Sequence, residues 1–278
     1  MVAFLMAVAS VTLYGCSAGL CAFRTIRKSD RFPVAARLLF LAAFLLHSVS
    51  IGMESVSTSG TILQGPNILM LASWVLALVS LFVSVASRRP YGYLAIASAT
   101  VSLFILFSQM VLMASGYALY ANSAYEQWPS LVVHILLFLV AMACFVISAA
   151  ASAMQLYQRR LMKARSARLF SLSMPAIETL NRVAKRAALV GFPLFTLGML
   201  IGFGRYAMHH GAMVALGCPA GFSYLWPRIG LSLAVWVVIA AFVALSYLAP
   251  HVASSKVRSV LSICGFLGAL LLMFVTAG

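Results

Sequence analysis

Carboxylate is what this chain has least of. Its 278 residues hold four acids, Asp30, Glu54, Glu126 and Glu178, against nineteen lysines and arginines, and only 8% of the residues are charged. A soluble domain carries about 25% charged residues, so a soluble fold is excluded, and the longest polar stretch, 158–186, is too short to be one. There are no paired carboxylates, no GxSxG, no HExxH and no phosphate-binding glycine loop, so no enzyme site is visible. All four acids fall between the long apolar runs or in the 158–186 stretch, so proton-coupled transport has no intramembrane carboxylate to use. No repeat is evident, which removes the symmetry expected of many transporters. The five cysteines, Cys16, Cys21, Cys144, Cys218 and Cys264, form no CxxC or CxxCH, so covalent haem attachment by this chain is not expected. Buried thiols of this kind usually just pack.

What is present is apolar residue: 64% of the chain, with a mean hydropathy of +1.06. Hydrophobic runs predict an all-α, polytopic membrane bundle of about eight transmembrane helices. Their expected bounds are 2–23, 35–53, 67–87, 91–115, 128–160, 187–206, 229–250 and 259–276. The first run has no basic residues before it and its arginines after it, so it reads as a span and not a signal peptide. The whole of 1–278 reads as one integral membrane domain. A loop at 158–186 carries a short amphipathic helix, with Ile177, Leu180, Val183 and Ala184 opposite Arg182, Lys185 and Arg186. That helix is expected to lie on the cytoplasmic surface and run into the sixth span.

The net charge of +15 is sorted by side. With eight spans, seventeen of the nineteen basic residues fall on one face, and only Arg205 and Arg228 on the other. The positive-inside rule then puts both termini outside, and charges sorted in this way fit a membrane protein rather than a nucleic-acid binder. Trp128, Trp226, Tyr120, Tyr125, Tyr206 and Tyr224 gather at the outer span ends, as interfacial aromatics do.

With the acids elsewhere, the polar chemistry of the membrane part rests on five histidines. An ionisable group inside a bilayer is costly unless a partner or ligand takes it up. Neutral imidazole is above all a metal ligand. His47 is expected roughly 9 Å, and His134 roughly 6 Å, below the outer surface at 1.5 Å per residue. His209 and His210 follow at the outer boundary, and His251 alone lies at the inner end of the seventh span. Two imidazoles on one iron need nitrogens roughly 4 Å apart. His47 with His134, or either with His209 or His210, is a possible pair; His251 is most of a bilayer away. Below His134, Ala141, Ser148 and Ser152 recur at heptad-like offsets with Phe138 and Phe145 between them, a face suited to a flat macrocycle or equally to ordinary helix packing.

The helix 128–160 is the stretch around which the rest is organised. Pro129 and His134, followed by LLFLVAMACFVISAAASAMQLYQ, resemble the proline–histidine helix of the cytochrome c assembly family, which includes the CcsA and CcmC haem-handling proteins and the HemX and YpjD proteins. The stretch MPAIETLNRVAKRAALVGFPLFTLGMLIG resembles the segment between this helix and the next span in the HemX/CcsA branch. The resemblance extends more weakly to LLHSVSIG around His47 and to YLAPHVASSKVRSVLSICGFLGALLL around His251. It implies non-covalent haem b, with His134 as a ligand and His47, His209, His210 and His251 as further candidates. It also implies handling of haem in cytochrome c biogenesis and a membrane or periplasmic partner protein. Haem-lyase members carry a tryptophan-rich loop of the WGxxWxWD type. Here RYAMHHGAMVALGCPAGFSYLWPRIG has one tryptophan and no aspartate, which favours the HemX/YpjD-like branch. Two other readings stay open: a haem-bearing electron-transfer subunit, and a scaffold or regulator without cofactor.

Overall fold

Hydrocarbon offers no water to the backbone, so an apolar run inside a bilayer must satisfy its own N–H and C=O groups, and a single run does this as a helix. The computed structural model describes residues 2–27, 33–57, 67–86, 91–114, 129–165, 175–215 and 222–277. These form α1 (Val2–Arg27), α2 (Pro33–Ser57), α3 (Asn67–Ala86), α4 (Tyr91–Ala114), α5 (Pro129–Lys163), α6 (Ile177–Ala215), α7 (Phe222–Tyr247) and α8 (Ser255–Ala277). All eight are long and apolar enough to cross a membrane, and no strand occurs among the described residues. The protein is a multi-pass membrane bundle, as its hydropathy predicts.

Local chemistry explains several boundaries. α2 and α5 open on Pro33 and Pro129, where a missing N–H costs nothing and the ring presets the helical φ. α5 ends at Arg165, whose φ of 45° is left-handed, and its N–H returns to the Met162 carbonyl at 3.1 Å. α8 is capped by Ser254, whose Oγ accepts the Val257 N–H at 3.3 Å.

The widest departure from the expected bounds is α6. Its 39 residues absorb both the span expected at 187–206 and the short helix expected before it. At about 1.5 Å per residue this is nearly twice the hydrocarbon thickness. Pro193 does not stop it, since a transmembrane helix tolerates a proline when neighbouring groups take up the freed backbone. The short helix expected before the sixth span is continuous with α6 and packs on the far part of α5. Leu180, Ala184 and Ala188 bury with Ala150, Ala151 and Met154 in one cluster, while Val183 stays exposed.

α5 contributes to all three core clusters. One holds α1 to α4 with Ala143 and Val146; a second joins Ile135, Leu139, Met142 and Phe145 to α3, α6, α7 and α8; the third is the α6 extension. Its widest interface is with α6. Against α8 it presents polar residues one above another. Ser148 shares a hydrogen bond with Ser262 (2.8 Å), Ser259 donates to Gln155 (2.8 Å), and Gln155 and Arg159 donate to Ser255 (3.2 and 2.9 Å). The outward faces are apolar: Leu41, Leu45, Phe82, Met110, Leu200, Val237 and Leu271 are exposed. On a protein in water so much exposed apolar surface would drive association; here acyl chains cover it.

Candidate functional site

His134 lies one and a half turns into α5, on the face that α6 approaches closely. Three glycines of α6 allow this. A Cβ on Gly191 would lie 2.8 Å from Cys144 Cβ and from Phe145 Cε1; one on Gly198, 3.0 Å from Phe138 Cδ2; one on Gly202, 2.8 Å from His134 Cε1. The imidazole therefore rests on bare α6 backbone. Its Nδ1 is 2.6 Å from the Gly198 carbonyl oxygen. A carbonyl can only accept, so Nδ1 carries the proton and the ring's lone pair is at Nε2. The ring is half-buried, and Phe138 lies against it at 5.3 Å between centroids, backed in turn by Phe195 at 4.8 Å.

His47 is held differently. It is fully buried, with Tyr14 of α1 edge-on at 6.1 Å and Nε2 3.3 Å from Ser73 Oγ of α3. Ser73 gives its own proton to the Met70 carbonyl at 2.7 Å, so Nε2 donates to Ser73. That leaves the lone pair at Nδ1, which has no hydrogen-bond partner among the described residues. α3 packs on both α2 and α5: Ser73 meets His47, while Leu69 and Ala72 join the cluster of Ile135 and Leu139. The two histidines expected to pair are thus engaged by separate residues.

His251 is exposed in the turn between α7 and α8. It lies four residues before Ser255, which Arg159 of α5 reaches. Arg159 is 25 residues along α5 from His134, about 37 Å at 1.5 Å per residue. His251 therefore belongs to the other end of the bundle, as the spans predict. His209 and His210 fall in the last turns of α6; their side chains lie outside the described residues, as do those of Arg205, Tyr206, Tyr224 and Trp226. Tyr120, Tyr125, Trp128 and Cys218 lie outside them altogether. Among the described residues no cluster of three or more His, Cys, Asp or Glu forms a metal site.

The face below His134 is filled by neighbouring helices. Ala141 is buried within α5's core cluster, and Ser148 donates to the Ala184 carbonyl (3.0 Å) besides its bond to Ser262. Phe145 packs on Phe195 at 5.7 Å. Helix packing accounts for these small residues, and of that face Phe138 alone touches His134. What sequence reasoning missed is the receiving surface on α6. Its signal was present in the small-residue spacing of Gly198 and Gly202, four apart, which lets membrane helices approach.

The protein-family model described as "Cytochrome C assembly protein" matches residues 62–277. No curated protein and no solved structure matches the chain. The match takes in α3 to α8, six of the eight helices, with both sides of the His134 contact inside it. The chain belongs to the cytochrome c assembly protein family.

Proposed function

We propose that this protein binds haem b non-covalently through His134 and holds it for cytochrome c biogenesis at the non-cytoplasmic face of a bacterial inner membrane. Membership of the family supports a role in haem handling. The observation that carries the finer reading is the hydrogen bond from His134 Nδ1 to the Gly198 carbonyl. An imidazole whose Nδ1–H is held by a carbonyl presents Nε2 as donor atom, the arrangement that orients metal-ligating histidines. The donor set fits haem iron: a neutral imidazole, half-buried, beside an aromatic ring. A bound haem would supply the iron; this chain would supply the ligand, its orientation and an apolar wall.

For a second ligand the register of α6 favours His209 over His210. Position 209 follows Gly191, Gly198 and Gly202 by 18, 11 and 7 residues, whole turns of an α-helix within about 20°. By register it lies on the same side of α6 as those glycines. His47, with Nε2 on Ser73 and its ring enclosed, is assigned a packing role, and His251 none in this site. The single tryptophan in the 205–230 stretch supports the HemX/YpjD-like branch over the haem-lyase members.

A pyridine haemochrome assay on detergent-purified protein tests the reading. His134→Ala is expected to lose most of the haem that wild type carries, His209→Ala to lose more than His210→Ala, and His251→Ala to match wild type. Equal haem in wild type and His134→Ala would remove the assignment.

A further inference from the structure

One turn of α6 does two things to His134. The Gly198 carbonyl meets Nδ1 at 2.6 Å, and Gly202 carries no Cβ where one would strike the ring. Within the helix the Gly198 carbonyl accepts the N–H four residues on, that of Gly202. It has a second lone pair, and His134 takes it. The contact is unforgiving because both sides are rigid. A Cβ on Gly202 would lie 2.8 Å from Cε1 and 3.2 Å from Nδ1. Cε1 stands between the two nitrogens of a planar ring, so relief cannot come from bending a side-chain tip. The whole imidazole must pivot, and Nδ1 leaves the carbonyl as it does. Phe138 lies beside the imidazole, 5.3 Å between ring centroids, and is itself seated on Gly198, where a Cβ would lie 3.0 Å from its Cδ2.

We propose that Gly198 and Gly202 are positioning residues for His134: together they hold its proton on Nδ1, and so set Nε2 as the ligating atom. The inference that this tautomer is imposed by α6 stands on the geometry alone; its consequence for iron rests on the haem reading above. A held Nδ1–H also makes the imidazole a stronger donor, so losing it is expected to cost at least about tenfold in haem affinity, the lower end for partners of metal ligands. Gly191 supplies the control. It lies on the same helix, faces the same partner and has an equally close 2.8 Å contact, with Cys144 and Phe145 instead of His134.

The test uses the full-length protein labelled with nitrogen-15 at histidine, in nanodiscs and without haem. The imidazole nitrogen shifts report which ring atom holds the proton, and His134→Asn identifies the resonances by their loss. Wild type and Gly191→Ala are expected to show His134 protonated at Nδ1. Gly202→Ala is expected to show the Nε2-protonated form or a mixture, and to bind added haem at least about tenfold more weakly than Gly191→Ala. An Nε2-protonated His134 in wild type overturns the proposal. So does a Gly202→Ala protein that matches Gly191→Ala in both tautomer and haem affinity. If Gly202→Ala yields no monodisperse protein, the wild-type tautomer alone decides. His134→Asn binding haem like wild type would instead overturn the ligand reading and leave the tautomer assignment standing, so the two failures are distinct.

Discussion

His47 and His134 differ in one atom. Both are imidazoles on membrane helices, but His134 gives its Nδ1 proton to a backbone carbonyl, whereas His47 gives its Nε2 proton to Ser73. The atom that usually reaches iron is thus spent on a neighbouring helix in His47. A substitution pair tests this. His47→Ala opens a cavity under Tyr14 and Phe40 and is expected to cost about 2–4 kcal/mol. His47→Leu fills the same space and removes the unpartnered Nδ1, so it is expected to stay within about 1.5 kcal/mol of wild type and to keep its haem. Thermal unfolding in detergent, followed with haem content, reads both; a stable His47→Leu protein without haem would return His47 to the ligand set. At the end of α5, Arg165 occupies a left-handed φ of 45°. Arg165→Gly removes that strain and is expected to stabilise by about 1 kcal/mol, measured the same way.

Between elements, the α5–α6 contact is set by what α6 omits. Gly191→Ala puts a methyl group against Cys144 and Phe145, and such overpacking typically costs about 1–3 kcal/mol. The contact with α8 adds polar pairs to its apolar packing. Ser259→Ala removes the donor to Gln155, and an interhelical bond of this kind contributes about 0.6 kcal/mol in a membrane. Reversible unfolding in bicelles should rank Gly191→Ala well above Ser259→Ala. The reverse order would mean that the serine–glutamine ladder, and not close packing, holds α5 in place. Across the surface, the Glu178–Arg182 pair is exposed at 3.2 Å, so its loss is expected to be nearly silent.

At the scale of the whole molecule, the charge distribution makes the prediction. Seventeen of nineteen basic residues fall on one side of the eight-span scheme, so the C-terminus after α8 is expected on the opposite, non-cytoplasmic side. A phosphatase reporter fused after Gly278 should be active and a green fluorescent one dark. Reporters placed in the 166–174 segment should behave in the opposite way. The same result would put His134 at the non-cytoplasmic surface and His251 at the cytoplasmic one.

Sequence alone determined the number of helices, because twenty apolar residues have one way to satisfy their backbone in hydrocarbon. It also determined that α5 matters most: a long uncharged run bearing a lone imidazole is visible without coordinates, and so is the separation of His251 from His134. It did not determine what α5 touches. Hydropathy is equally satisfied by lipid and by a neighbouring helix, so it could not tell that the 177–186 segment would join α6 and pack along α5. Nor could it tell that Ala141 and Ser148 would be filled by packing, or that His47 would be enclosed by Tyr14 and Ser73. Above all, the proton on His134 was decided by a carbonyl 64 residues away in the chain. A backbone oxygen is present at every position; only the close approach that Gly198 and Gly202 allow brings this one within reach of the ring.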